Sequence, residues 1–190
     1  MNQPTEAQIL EIKELLQTSI DLLILNDGNI FYLDTDIEMP ELSPDAKILN
    51  RELHETTINH RLAYYIETHI QGKALSNYNV DIEYNRYFEN PKVLEMPKRG
   101  LIVRPDIIMH SRINTEIVPQ HYLVIEAKKD KITNHDIEKV TSFITDKNYY
   151  YVFGLTISYC QDEQNVAANL YYFNGEGIKR EELNRAKQIY

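Results

Sequence analysis

Apolar residues recur at helical spacing near the start of the chain. Thr5-Glu6-Ala7-Gln8 has the form of a capping box, in which the first and fourth residues satisfy each other's backbone donors. Apolar residues then follow three and four positions apart, at Ile9, Ile12, Leu16, Ile20 and Leu23. This amphipathic stripe predicts a helix. The helix should end near Asn26-Asp27-Gly28, a C-cap signal, and a short strand should follow over residues 30–33.

A second apolar stripe predicts a helix over residues 46–69. At about 100° per residue, one direction is shared by Ile58, Leu62, Ile66 and Ile70. Glu55 falls on the centre line of this stripe. Because a carboxylate that faces a core is costly unless it is paired or metal-bound, Glu55 is a candidate ligand. The alternative is that Glu55 lies in a frayed first turn, where the helix dipole stabilises it.

Strand and helix patterns alternate through the rest of the chain. Strands are predicted at 80–84, around 101–103, around 122–125, at 149–158 and at 170–173. Between the third and fourth of these, a helix should begin at Thr133-Asn134, with Ile137, Val140 and Ile144 on its buried side. From residue 46 onward the predicted order is therefore α-β-β-β-α-β, with additions at both ends.

The length of the chain limits the number of domains. With 190 residues, it is long enough for one well-buried core and short for two. We therefore divide it into an acidic helical and strand extension, residues 1–45, and a main domain, residues 46–190. The amphipathic stripe favours an extension that packs on the core, and a docking surface for a protein partner is the alternative.

Cysteine content and hydropathy bear on the compartment. The single cysteine, Cys160, cannot form an internal disulfide, which fits a reducing cytoplasm. No run of 18 apolar residues is present to span a membrane, and the N-terminal residues lack the pattern of a signal peptide. We therefore expect a cytoplasmic protein with no membrane contact.

The charge is strongly negative but unevenly distributed. The formal net charge of −9 opposes a nucleic-acid partner, because phosphate contacts need Lys and Arg. However, residues 1–50 carry ten acidic residues and two lysines, whereas the remaining 140 residues carry 19 acids and 18 bases. A nearly neutral body with local basic patches is compatible with weak nucleic-acid binding.

Two short motifs lie beside predicted strands. Pro105-Asp106 and Glu126-Ala127-Lys128 together have the form PD…ExK. Strand alternation places Glu126 and Lys128 on one face and Ala127 on the other, where a small apolar residue suits a helix-covered surface. Because adjacent strands lie about 4.8 Å apart, the Asp106 and Glu126 carboxylates can share one cation.

These residue types suit metal-assisted hydrolysis. The predicted ligands of Mg²⁺ or Mn²⁺ are Asp106, Glu126 and Glu55, since both ions prefer oxygen donors. Without a cation, such carboxylates would repel by about 4 kcal/mol per pair at 4 Å separation. Lys128 would orient the attacking water or stabilise charge on a phosphate. The alternative is a Pro-Asp turn and an exposed Glu-Lys-Lys at the end of a strand.

The chain resembles the PD-(D/E)xK nuclease superfamily, which has the restriction-endonuclease-like fold. Segments 53–63, 80–86, 105–110 and 123–129 are similar to a group of uncharacterised bacterial proteins in it, and the resemblance covers residues 50–157. It implies an α/β fold with an αβββαβ core, a mixed central sheet flanked by helices, to which an N-terminal helix is added. It also implies catalytic roles for Asp106, Glu126 and Lys128, and less securely for Glu55.

The implied activity is endonucleolytic cleavage of nucleic acid, with DNA favoured over RNA. Because the superfamily includes members without activity, a catalytically silent module that works through a protein partner is the alternative. A homodimer is compatible with double-strand cutting. Weaker candidate contacts to nucleic acid are Arg86, Arg104, Lys129, His60 and Arg61. Glu83 and His110 are candidates to flank the site, although Glu83 and Arg86 also suit an ordinary ion pair.

Overall fold

The protein has a mixed α/β fold. The computed structural model describes residues 1–27, 55–84, 86–87, 90–91, 93–96, 99–112, 116–162 and 165–183. Its helices are α1 (Glu6–Asp27), α2 (Glu55–Ile70) and α3 (Asn134–Thr145). Its strands are β1 (Asn79–Ile82), β2 (Arg86–Tyr87), β3 (Asn90–Pro91), β4 (Val93–Met96), β5 (Arg99–Ile102), β6 (Ile107–His110), β7 (His121–Lys128), β8 (Phe153–Asp162), β9 (Asn165–Phe173) and β10 (Ile178–Glu182). None of these three described helices is long and apolar enough to cross a membrane.

Six strands form one mixed sheet in the order β1-β6-β7-β8-β9-β10. Neighbours in this sheet are antiparallel except β7 and β8, which are parallel and connected through α3. A parallel pair needs such a crossover connection. The small ribbons β2–β3 and β4–β5 lie between β1 and β6 in the chain. Among the helices and the strands of the large sheet, the order from α2 to β8 is therefore α-β-β-β-α-β.

Helices cover both faces of the sheet. Helices α1 and α2 pack on one face, which includes Ile125 and Ala127 of β7. Helix α3 and strand β4 contribute to the core on the other face, which includes Val124. Since side chains alternate along a strand, Glu126 and Lys128 lie on the α3 side. The prediction that Ala127 points to a helix-covered face is confirmed.

The predicted helix signals are found at the predicted positions. The capping box at the start of α1 is present, because Thr5 N donates to Gln8 Oε1 and Gln8 N donates to Thr5 Oγ1. Thr133 caps α3 in the same way with Asp136. The predicted stripe of α2 is buried at Ile58, Leu62, Ile66 and Ile70. The predicted strand at 30–33 and the first turns of the predicted helix, 46–54, lie outside the described residues.

Charged contacts join α1 to the rest of the fold. Asp27, the last residue of α1, forms an ion pair with Arg61 of α2, with 3.0 Å between Asp27 Oδ2 and Arg61 Nε. Lys13 pairs with Glu181 of β10. Lys13, together with Lys179 and Tyr172, lowers the pKa of Glu181 to about 2. Helix α1 is thus connected both to its neighbouring helix and to the distant edge of the sheet.

Two predicted strands differ from the structure. Residues 101–102 belong to β5, which pairs with β4, and the sheet strand β6 begins only after Asp106. Pro105 accounts for the break, because proline has no N–H to donate to a ladder. The strand predicted at 149–158 begins at Phe153, since Tyr150 adopts a positive φ of 44°. That conformation is incompatible with a strand.

Candidate metal centre

Asp106 is held at the junction of three strands. It immediately precedes β6, and its carboxylate Oδ2 accepts a hydrogen bond from Ala127 N of β7 at 2.8 Å. Its backbone oxygen accepts a hydrogen bond from Glu83 N at 2.9 Å, just beyond β1. Glu83 has a positive φ of 49°, which ends β1 there. These contacts fix the Asp106 carboxylate beside Glu126.

Glu126 is a carboxylate buried within the sheet. It is 1% exposed, and its Oε2 accepts a hydrogen bond from Lys139 Nζ of α3 at 2.7 Å. Its Oε1 is buried and has no hydrogen-bond partner among the described residues. Burial and the Asp106 charge together raise the pKa of Glu126 to about 8, outweighing Lys139 and Lys128. A buried carboxylate oxygen without a donor fits a cation.

Lys128 is surrounded by acidic side chains. Its Nζ lies 3.6 Å from Glu55 Oε1 and 4.0 Å from Asp136 Oδ1, and it donates to Ala127 O at 3.0 Å. Burial opposes its charge, but Asp106 and the other surrounding carboxylates outweigh burial and raise its pKa. Lys128 is therefore a charged ammonium group at the mouth of the site.

Glu55 is the first residue of α2 and contacts the end of β7. Its Oε2 accepts a hydrogen bond from Lys129 N at 2.9 Å, which connects the start of α2 to the end of β7. One turn later, Asn59 Oδ1 accepts a hydrogen bond from Tyr159 Oη at 2.7 Å. Burial raises the pKa of Tyr159 far above its usual range, and the nearby Asp106 and Glu55 charges raise it further. Glu55 therefore faces the site from the α2 side.

The charged groups of this centre carry a net negative charge. When all of them are ionised, two formal negative charges remain, which is the charge that one divalent cation neutralises. The groups counted are the carboxylates of Glu55, Asp106, Glu126 and Asp136 and the ammonium groups of Lys128 and Lys139. Among the described residues, no three His, Cys, Asp or Glu side chains are grouped so as to hold a metal ion. Asp106 and Glu126 are neighbours, whereas Glu55 contacts Lys128 and Lys129. A set of two carboxylates suits Mg²⁺, which commonly keeps several waters and binds substrate phosphate.

Some predicted nucleic-acid contacts lie near this centre. The Arg104 side chain is 59% exposed and pairs with Glu83 at 3.4 Å, which places Glu83 at the border of the site. Lys129 is half-buried directly after β7. Arg86 belongs to β2, and its side chain lies outside the part of the chain that is described. Arg104 thus lies two residues before Asp106, and Lys129 lies three residues after Glu126.

Other predicted residues have different surroundings. Arg61 donates to Asp27 at 3.0 Å and to Tyr65 Oη at 2.9 Å, so its charge connects α2 to α1. His60 is exposed on α2. His110 lies at the opposite end of β6, roughly 13 Å along the strand from Asp106.

His110 belongs to a separate charged cluster. Its Nε2 lies 2.8 Å from Asp81 Oδ2 of β1, and Arg112 Nη2 donates to Asp81 Oδ1 at 2.6 Å. Burial opposes the charge of Asp81, but the hydrogen bonds from His110 and Arg112 outweigh it and lower the Asp81 pKa well below its usual range. This cluster reinforces the pairing of β1 with β6 and is distinct from the candidate centre at Asp106 and Glu126.

Two residues of the centre come from α3 and were not predicted. Lys139 donates to Glu126, and Asp136 lies near Lys128 while also capping its own helix at Thr133. Their spacing along the sequence is the signal by which they could have been predicted. Asp136 and Lys139 are three residues apart, and Phe143 follows four residues after Lys139, so all three share a side of the helix.

Comparisons with known proteins add no family assignment. No protein-family model matches this chain, and no curated protein matches it either. The chemistry of the centre is therefore inferred from its own residues, their burial and their charges.

Proposed function

We propose that this protein is a Mg²⁺- or Mn²⁺-dependent nuclease with a restriction-endonuclease-like core, cleaving nucleic acid, with DNA favoured over RNA. The order α2-β1-β6-β7-α3-β8, with β8 parallel to β7, supports the core. The proximity of Asp106, Glu126 and Lys128 supports the activity.

The burial of the Glu126 carboxylate is the main observation in support of this proposal. An interior carboxylate 1% exposed, with one oxygen lacking a donor, is costly to a fold that uses it only for packing. A second carboxylate beside it makes the cost larger. Both features are explained if Asp106 and Glu126 hold a divalent cation, which removes the repulsion.

The surrounding residues have separate roles in this proposal. The cation would polarise the phosphate and lower the pKa of a bound water. Lys128, which is charged and reaches the mouth of the centre, would stabilise negative charge that develops on the phosphate. Exposed Arg104 and neighbouring Lys129 would position the phosphate backbone without reading its sequence.

Cleavage of plasmid DNA and of a single-stranded RNA with added Mg²⁺ or Mn²⁺ tests the activity. We expect DNA cleavage that a chelator abolishes, and a loss of at least about a hundredfold in Asp106→Asn and Lys128→Met. Lys147→Met, which removes an exposed lysine after α3, is the matched control and should cleave normally. Equal cleavage by wild type and both site variants would show that a contaminant is responsible.

A protein-binding module with a silent site is the second candidate. It is favoured by the first fifty residues, which carry ten acidic residues and only two lysines. This excess of negative charge repels nucleic acid. Calorimetry with Mg²⁺ and Mn²⁺ separates the two functions. Folded wild-type protein that takes up neither ion and cleaves neither nucleic acid would favour this second candidate.

A further inference from the structure

Each carboxylate predicted to bind metal already has one oxygen engaged by the protein. Asp106 Oδ2 accepts a hydrogen bond from Ala127 N, and Glu55 Oε2 accepts one from Lys129 N. Glu126 Oε2 accepts its hydrogen bond from an ammonium group, that of Lys139. The oxygen that is buried without a donor is Glu126 Oε1. The two oxygens of Glu126 are thus unequal, since one faces a cation of the protein and the other does not.

Lys139 is held firmly at this position. Its Nζ lies 2.7 Å from Glu126 Oε2 and donates to Arg104 O at 3.1 Å, and its side chain is only 15% exposed. Helix α3 carries it against the sheet, because Val140 beside it is fully buried. A second metal ion on Glu126 Oε2 would have to approach this ammonium group or displace it. Two cations on one carboxylate oxygen repel each other, and the repulsion is strong here because Glu126 is only 1% exposed.

We infer that the Lys139 ammonium takes the place of a second cation, so that the centre binds one divalent ion, on the Oε1 side of Glu126. This inference rests on the proposed function. It assigns Lys139 as a positioning residue: it holds one carboxylate oxygen and leaves the other for the metal.

Counting bound Mn²⁺ by calorimetry and by electron paramagnetic resonance tests this inference. Wild-type protein should bind one Mn²⁺ per chain. Lys139→Met removes the built-in cation and should take up a second Mn²⁺, whereas Lys139→Arg keeps the charge and should bind one. Lys179→Met is the matched control, because Lys179 also pairs with a carboxylate, Glu181, but on β10. It should bind one ion.

Circular dichroism establishes that each variant is folded before it is titrated. Should Lys139→Met not fold, Lys139→Gln replaces it, because its amide keeps a hydrogen-bond donor without the charge, and it should also take up a second ion. Two ions bound by wild type, or one ion bound by a folded neutral variant, would overturn the role of Lys139 alone. No Mn²⁺ bound by folded wild type would overturn the proposed function and this inference together.

Discussion

Glu126 is an ionisable side chain that is fully buried, and it lies close to other charged groups. Its carboxylate lies in the interior of the sheet, yet it contacts Lys139 and neighbours the Asp106 charge. Burial and Asp106 raise its pKa to about 8, so the metal-free protein favours the protonated form at neutral pH. A bound divalent cation would reverse that preference, because it neutralises the same charge that burial penalises.

The raised pKa predicts how stability changes with pH. Folding raises the pKa of Glu126 from 4.5 to about 8, so the folded protein holds this proton more tightly than the unfolded chain does. The resulting stabilisation is complete below pH 4.5 and is lost as the pH rises through about 8. Glu126→Gln cannot ionise, so in the presence of a chelator the variant should gain stability relative to wild type between about pH 5 and about pH 9. The gain should be on the order of a few kcal/mol.

Urea unfolding of both proteins across this pH range measures the difference. Titration of groups distant from Glu126 is common to the two proteins and cancels in the comparison. A difference in unfolding free energy that stays constant from about pH 5 to about pH 9 would contradict the raised pKa of Glu126.

The sequence predicts some residues of the centre better than others. Asp106, Glu126 and Lys128 were predicted because two short motifs, each common by itself, both follow apolar runs typical of strands. Lys139 belongs to no such motif. The predicted buried side of α3 was Ile137, Val140 and Ile144; Val140 and Ile144 are buried, whereas Ile137 is only half-buried. The observed buried side adds Asp136 and Phe143 to Val140 and Ile144. That shift turns Lys139 toward the sheet, and it depends on packing that periodicity alone does not specify.

At the scale of elements, the approach of α3 to β8 determines where Lys139 lies. Gly154 of β8 makes this approach possible, because a Cβ there would meet Val140 Cγ1 at 2.3 Å and Ile144 Cδ1 at 3.2 Å. Val140 is adjacent to Lys139 in α3, and a β-branched side chain in a helix has little rotamer freedom to move aside. A small residue in the strand thus sets the position of a charged residue in the helix.

Gly154→Ala should therefore destabilise the fold and disturb the centre together. We expect a loss of about 1–3 kcal/mol in the free energy of unfolding from overpacking, since α3 must move away from the sheet. If the protein is the proposed nuclease, its metal-dependent cleavage should also be slower. Gly177→Ala is the matched control, because a Cβ there meets nothing within 4 Å. Val140→Ala added to Gly154→Ala makes room for the methyl group and should restore part of both losses. Absence of this rescue in urea unfolding would argue against the contact.

The ends of the strands were harder to predict from the sequence than the strands themselves. The apolar run 101–103 predicts a strand, and part of it is one, but it pairs with β4 rather than with the large sheet. Hydrophobicity reports that a segment is buried and not which neighbour buries it. Likewise, the tyrosines at 149–151 have strand propensity, yet the positive φ of Tyr150 places them before β8.

At the scale of the whole molecule, α1 shares a core with the rest of the chain. Ile12, Leu16 and Leu23 are fully buried in the same cluster as α2 and the strands β6 to β9. The ion pairs of Asp27 and Lys13 connect its two halves to α2 and to β10. Helix α1 is long enough to show its stripe in the sequence, but its partners are distant in the chain and only the fold identifies them.

This shared core predicts that a cavity in α1 weakens the entire protein. Leu16→Ala should lower the free energy of unfolding by about 2–5 kcal/mol, the usual cost of emptying a buried leucine site. Leu25→Ala on the same helix is the matched control, because Leu25 is 77% exposed and should change stability by at most about 0.5 kcal/mol.

Hydrogen exchange under native conditions decides whether the loss is shared. If α1 unfolds together with the sheet, Leu16→Ala should speed exchange of the slowest amides in β7 and β8 as much as in α1, since all of them open through global unfolding. Faster exchange confined to α1 would instead support an extension of residues 1–45 that unfolds independently of the main domain. The candidate metal centre would then be insensitive to α1, because Asp106, Glu126 and Lys139 all lie outside that helix.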